Sequence, residues 1–487
     1  MYTTINSTNT DDKIGNSQVN SNNNRKAGKE RACLEFWESV HTQPQFEPIS
    51  NCELFKTLGP QYLEICMKHP TLEKTEIKQQ KFQRILELVE LAYSQIPVYR
   101  EIYQKAGFSP RQLRSYDDIE KIPIITKREL IAAFPHKCLN PQFNTTDLFP
   151  TRSSGSSGET LLIRVDEKAI LLDTIQGLRQ FALQSGLKYQ PEHLLTHVYT
   201  VPWWYNNVNQ QYYTAFISNV IPPLETAQHL GTLAPEILSC YPSNLEALLP
   251  YAEQFKNSLY LAVTHSEYSS EHARHMWSQR LGCPVLDEYS SEEATRIALE
   301  MPCGHYHVCE DAVHLEAVNP VTKKLEKDGV SGMAIVTNLL NEAMPFIRYA
   351  QGDYITRPAR EDVCNITWSQ LERIDGRMND SFINRHNRII PSGSLLDITY
   401  RWMFDRDLHL DRFELVQKQR DVVEANFVLG GPTVEKTVLD GISHLADLLS
   451  LCLEHPIKVQ GNVVKSLEKR PGKQRPIRCD IQNEIEK

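Results

Sequence analysis

Residues 151–160 read TRSSGSSGET, ten residues that hold four serines, two threonines and two glycines. A loop that turns successive backbone N–H groups inward, with hydroxyls as further donors, holds a phosphate group. Ser153, Ser154, Ser156, Ser157 and Thr160 supply the hydroxyls, and Gly155 and Gly158 let an anion approach the main chain closely. A flexible linker has the same composition, so composition alone leaves both readings standing. The loop is not of the Walker type, because no Gly-Lys-Ser/Thr ending closes it and the following TLLIRVD alternates like a strand. Acids, aromatics and a basic run suited to a phosphate ester come later: LDEYSSEEA at 286–294, MPFIRYAQGDY at 344–354, IDGRMND at 374–380 and EKRPGKQRPI at 468–477.

A second set of residues could bind metal. Cys303, His305, His307 and Cys309 lie within seven residues, and strand alternation would set all four on one face toward a zinc ion. The spacing matches no closed tetrahedral pattern, and a structural strand with chance ligands is the competing reading. Trp203, Trp204 and Tyr205 could line a pocket for an aryl or acyl group or pack in the core. His265, His272 and His275 surround an expected helix start and are expected at the surface.

These groups need elements to hold them. From Met1 to Glu30 the chain is Asn, Ser, Thr and Asp with little apolar content, and is expected to stay unordered. KQQKFQRILELVELAYSQIPVYREIYQKAG carries helical spacing broken at Pro97, which predicts helix, break, helix. Between 160 and 350, strand-like HLLTHVYTV, SLYLAVTH, CPVLDEYSS and MAIVTNLL alternate with helix-like EKAILLDTIQGLRQFALQSG, LEALLPYAEQF and EHARHMWSQRLG. That alternation predicts an α/β domain with substantial sheets. Beyond Gly376 the pieces shorten toward a small α+β unit, with two strands in FELVQKQRDVVEANFVL and a helix in TVLDGISHLADLLSLCLEH.

The whole chain has 487 residues, 41% of them hydrophobic, which is ample for two or three packed units. A net charge of -9 provides no general attraction for nucleic acid or an anionic membrane. No apolar run spans a bilayer and the N-terminus lacks a signal-peptide pattern, so a cytoplasmic location without membrane insertion is expected. The 11 scattered cysteines suit reduced thiols.

In their order, SSGSSGET, LDEYSSEEA, RYAQGD, DGRMND and RPGKQRP resemble the motifs of the adenylate-forming superfamily of acyl-CoA synthetases, luciferases and adenylation domains. IPVYREIYQKAG, KIPIITKREL and NEAMPFIRYAQGD are similar to its phenylacetate-CoA ligase-like branch, capsule-biosynthesis-associated relatives included. The resemblance covers roughly residues 80–480 and implies a large N-terminal domain over 31–376 and a small mobile domain over 377–487. It implies ATP and Mg²⁺, a small-molecule carboxylic acid, formation of an acyl-adenylate, and transfer to the thiol of CoA or of a carrier protein's pantetheine. Transfer to an amine or hydroxyl and an inactive nucleotide-binding scaffold are the alternatives, and a homodimer is left open.

By the same resemblance, Ser153, Ser154, Gly155, Ser156, Ser157, Gly158 and Thr160 would grip the ATP phosphates, and Tyr289 would pack on adenine. Glu293 would hold Mg²⁺, with Glu292 next to it, and Asp353 would accept from the ribose hydroxyls. Arg377 would reach the ribose side, Asn379 would stand at the hinge followed by Asp380, and Lys473 would bridge substrate carboxylate and α-phosphate. A solvated basic tail is the plain alternative for the run around Lys473. His386 or Asn387 replaces a glycine of the thioester-forming loop, and some branch members carry zinc near Cys303.

Overall fold

The computed structural model describes residues 53–153, 160–200, 207–208, 211–377, 381–386, 388–390, 392–430, 432–467 and 476–481. The Asn-rich tail lies outside the described residues. Four helices lead: α1 (Glu53–Lys68), α2 (Lys74–Gln95), α3 (Pro97–Lys105) and α4 (Lys127–Ala133). The break expected at Pro97 is real. Pro97 opens α3 where no N–H is needed, and it drives Ile96 to an extended backbone at φ −110°, ψ 111°. At α4 a capping box closes the first turn, with Thr126 and Glu129 each bonding the other's backbone N–H.

An antiparallel hairpin of β1 (Phe149–Arg152) and β2 (Leu162–Val165) follows, and α5 (Glu167–Gln184) starts at Asp166, whose side chain accepts from Ala169 N at 2.8 Å. The chain then runs β3 (Leu194–Tyr199), β4 (Tyr213–Ser218), α6 (Pro223–Leu233), β5 (Ile237–Cys240), α7 (Pro242–Leu248), β6 (Leu261–His265), α8 (Glu271–Leu281), β7 (Val285–Ser291), β8 (Thr295–Glu300) and β9 (Tyr306–Val308). Next come β10 (Val313–Val318), β11 (Ser331–Asn338), β12 (Tyr349–Thr356), β13 (Gln370–Leu371) and β14 (Arg373–Arg377).

Two sheets result. One has eight strands in the order β13-β9-β8-β7-β6-β5-β3-β4, parallel from β7 through β4 and antiparallel beyond. Its inner strands β3, β5 and β6 are buried on both faces apart from Tyr199, as expected when helices cover both sides of a parallel sheet. One core packs α5 beneath the sheet and another packs α6, α7 and α8 above it. The other sheet is the antiparallel meander β10-β11-β12-β14. MAIVTNLL, expected as a strand, belongs to this meander and not to the parallel sheet.

A separate core forms past residue 381. It holds the pair β15 (Phe382–Ile383) and β16 (Ile389–Ile390), helix α9 (Ser392–Asp405), β17 (Leu410–Gln419), β18 (Val422–Leu429), helices α10 (Glu435–Asp440) and α11 (Ile442–Leu453), and β19 (Lys458–Val463) and β20 (Ile477–Cys479). Its sheet order is β19-β18-β17-β20. The single helix expected over 437–455 is two, parted at Gly441, where an added Cβ would meet Arg406 Nε at 2.6 Å.

Arg348, from the RYAQGD motif, is buried between β10 and the segment before α4. Its guanidinium makes a two-pronged contact with Glu316 at 2.8 and 2.9 Å and donates to the carbonyls of Glu120 and Ile122. Arg348→Met strands the buried Glu316 carboxylate, so the denaturant midpoint should fall by the equivalent of about 3–5 kcal/mol, read by fluorescence-detected urea unfolding.

Candidate active site

The Ser/Gly segment spans the tip of the β1–β2 hairpin, whose last pair is Arg152 with Leu162. Ser153 closes the neck: its N–H donates to Leu161 O at 3.0 Å and its hydroxyl accepts from Leu161 N at 2.9 Å. Paired strands flank the segment on both sides. Ser154, Gly155, Ser156, Ser157 and Gly158 lie outside the described residues, while Ser153 and Thr160 border a cavity of about 2280 Å³.

The later motifs reach the same cavity. Thr151, beside the loop, donates to Glu292 at 2.7 Å across 141 residues. Glu293, in the tight turn from β7 to β8, is buried at the cavity wall and accepts from Tyr349 Oη at 3.0 Å, while its carbonyl accepts from Asn338 at 2.9 Å. Tyr289 donates to Asp353 Oδ2 at 2.9 Å. Asp353 and Arg377 are direct partners in the β12–β14 ladder. Each follows a glycine with positive φ, Gly352 at +87° and Gly376 at +82°, a backbone conformation that L side chains rarely adopt.

Asn379, Asp380, Asn387 and Lys473 lie outside the described residues, as do Trp203, Trp204 and Tyr205. The segment holding Lys473 connects β19 to β20, and Pro476 and Ile477 at its end line the cavity. His386 is exposed in the turn between β15 and β16. Residues past 381 also touch the larger part directly: Tyr268 donates to Asp397 at 3.0 Å, and the His272 and Phe404 rings pack at 5.0 Å.

Two expectations need correction. His265 is not at the surface. It ends β6 inside the cavity, 7% exposed, with its ring 5.2 Å from Tyr199 and 5.6 Å from Tyr241. The set Cys303, His305, His307 and Cys309 does not assemble, because β9 covers only Tyr306–Val308 and strand alternation fails at both ends. Cys309 is in the core, and His305 pairs with Asp362 at 3.1 Å. Cys364, 57 residues onward, takes the vacated place: its sulfur lies 3.4 Å from His307 Nε2, with Cys303 Sγ at 3.5 Å. The three ligand atoms lie within 4.8 Å of one another, and His307 Nδ1 faces the Trp368 carbonyl at 3.2 Å. No local spacing could have announced Cys364.

Besides Cys364, Thr151, Tyr349 and Asn338 join the site; each lies in a stretch picked out from the sequence, but the hydrogen bond that recruits it is reached only by folding.

No family model matches the chain. Over 341 residues, 66% of this chain and 75% of the relative, it is 24% identical to the phenylacetate-coenzyme A ligase of Thermus thermophilus. Over 342 residues, 66% of this chain and 76% of the relative, it is 25% identical to that of Escherichia coli K12. The crystal structure of 2-hydroxyisobutyryl-CoA ligase superposes with a TM-score of 0.71 and 17% identity, covering 86% of this chain and 92% of that one. These likenesses are to adenylate-forming enzymes. The chain belongs to the phenylacetate-CoA ligase-like branch of that superfamily, a branch of AMP-forming carboxylate ligases.

Burial, reinforced by His265 and Arg296, pushes the His197 imidazole down to about 3, so it stays neutral across the working range. The unfolded chain takes up that proton near the ordinary value of 6.5. Stability therefore falls as pH drops from 6.5 toward 3. His197→Gln should lower the pH slope of unfolding free energy in this window by up to about 1.4 kcal/mol per pH unit, measured by urea titration at successive pH values.

Proposed function

We propose that the protein activates a small carboxylic acid with ATP and passes the acyl group to a thiol, that of CoA or of a carrier protein's pantetheine. The observation that carries this is the convergence of the hairpin neck, Glu293, Tyr289, Asp353 and the end of the Lys473 segment on one cavity. In the first step a carboxylate oxygen attacks the α-phosphorus and the bond to the β-phosphate breaks, giving acyl-adenylate and pyrophosphate. In the second, a thiolate attacks the acyl carbon, AMP leaves with the bonding pair, and the thiol proton goes to solvent.

The hairpin segment from Ser153 to Thr160 holds the β- and γ-phosphates through backbone N–H groups and hydroxyls. Tyr289 packs beside adenine and keeps Asp353 turned toward the ribose hydroxyls, which its carboxylate accepts; Arg377 serves the same side. Glu293, with Glu292 beside it, offers the hard carboxylate oxygens that suit Mg²⁺, an ion that would neutralise phosphate charge when bound. Lys473 places an ammonium between the two anions that must meet, so it acts where charge develops. Residues 31–376 form the large domain and 377–487 the small one, which swings about Asn379 between the two steps. None of the nine described cysteines is in a disulfide, which supports a reducing, cytoplasmic setting.

Acid-dependent exchange of pyrophosphate into ATP tests the reading. Lys473→Ala should lower the exchange rate on the order of a hundredfold or more while ATP still binds. A wild-type protein that binds ATP but exchanges with no aryl, fatty or amino acid would instead be a nucleotide-binding scaffold.

We also propose that Cys303, His307 and Cys364 hold a structural zinc ion, since two thiols and an imidazole within 4.8 Å are a soft donor set. Elemental analysis should then find about one zinc per chain, lost in Cys364→Ser and retained in Cys309→Ser.

A further inference from the structure

Behind the start of α8 stands a buried polar network with no part in either proposed step. Arg274, 5% exposed, contacts Glu300 at 2.8 and 2.9 Å and donates to both the carbonyl and the hydroxyl of Ser269. The Ser269 hydroxyl donates to Asp287 at 3.2 Å, and the same carboxylate accepts from Thr264 at 2.7 Å and from Tyr306 at 2.8 Å. Glu300 accepts in turn from the Asp287 N–H at 2.8 Å. Charges taken out of water are costly unless they are paired and hydrogen-bonded, as these are. What the network fixes is the short segment just before α8, tied through these side chains to β6, β7, β8 and β9 at once. Ser270, next in the segment, caps α8 by accepting from Ala273 N at 3.0 Å.

Tyr268 is the side chain that this rigid base carries outward. It belongs to the larger part, yet its ring packs against the separate core past residue 381. Its hydroxyl donates to Asp397 at 3.0 Å. Helix α9 buries Leu395, Leu396 and Trp402 in that core and offers Asp397 to the joint. Leu395 of α9, Leu415 of β17 and Ile477 of β20 share the core, so fixing α9 also fixes the strand into which the Lys473 segment runs. In this arrangement Pro476 and Ile477 border the same cavity as Glu293 and Asp353.

Resting on the proposed two-step reaction and its domain swing, we infer that Tyr268 is a positioning residue for adenylation: with its ring on the small core and its hydroxyl on Asp397, it docks α9 so that the Lys473 segment meets the cavity. The contact is of a kind that can be made and broken in every cycle. A solvent-exposed hydrogen bond to a carboxylate exchanges for water at small net cost, whereas a large apolar seam would hold the two parts together. Because Tyr268 acts through α9, losing its hydroxyl weighs on the half-reaction that needs the Lys473 segment and spares the one that follows the swing.

The test separates the two half-reactions, using whichever aryl, fatty or amino acid supports exchange. Tyr268→Phe keeps the ring and removes the hydroxyl. Its ATP-pyrophosphate exchange rate should fall by about tenfold with the KM for ATP unchanged. Single-turnover transfer from isolated acyl-adenylate to CoA or pantetheine, followed by AMP release, should keep the wild-type rate or exceed it. Asp397→Ala should show the same split, and Asp397→Asn, which keeps an acceptor oxygen, should recover most of the exchange. Combining Tyr268→Phe with Asp397→Ala should cost no more than either change alone, since both remove one contact. A wild-type urea midpoint reports that both cores are intact. Equal losses in the two half-reactions, additive losses in the double variant, or exchange unmoved by Tyr268→Phe would overturn the inference and leave adenylation standing. Wild-type protein that binds ATP yet exchanges with none of the acids would overturn the adenylation reading and this one with it.

Discussion

The hydrogen bond from Tyr289 to Asp353 joins two sheets that share no ladder. Tyr289 belongs to β7 of the parallel sheet and Asp353 to β12 of the meander, 64 residues apart. Two further bonds of the same kind flank it, Thr151 to Glu292 from the hairpin and Tyr349 to Glu293 from the meander. These three contacts hold the hairpin, the sheet end and the meander in register around the proposed nucleotide site. Each is a hydroxyl donating to a carboxylate, stronger than a neutral pair and directional enough to fix both partners. Glu293 and Asp353 are buried as well, so an unpaired carboxylate at either position would be costly and the arrangement enforces itself.

Parallel strands explain why chemistry gathers at one edge. Their carboxyl ends all point the same way, and the helices that connect them leave that edge open. Along β3, β5 and β6 the aliphatic residues bind the sheet to α5, and toward the strands' carboxyl ends the polar and aromatic residues line the cavity. The part past residue 381 closes the other side. It reaches the cavity through Pro476 and Ile477, at the end of the segment that carries Lys473. Its direct contacts with the larger part include one tyrosine-aspartate bond and one ring pair.

Much of this was legible from local pattern. Helix and strand alternation between 160 and 350, the break at Pro97 and the strand after the Ser/Gly segment all follow from periodicity and proline sterics, and each appears in the fold. The paired glycines before Asp353 and Arg377 were visible as letters, and their positive φ explains why those letters stand there. His265 was misplaced because its neighbours read as a helix start, although the residue itself closes a buried strand. The metal set was misassigned because alternation was extended past a strand only three residues long.

Taken alone, the order of motifs determined which short segments carry the hydroxyls, carboxylates and glycines that border the cavity, because such composition is a local property of the chain. Which of these residues meet was decided by tertiary structure. Thr151 with Glu292, Tyr289 with Asp353, Cys364 with His307 and Tyr268 with Asp397 each join segments far apart in the chain. Their proximity depends on sheet order and on the entropy of closing long loops against burial of a shared core, and neither quantity is written in any one stretch of residues.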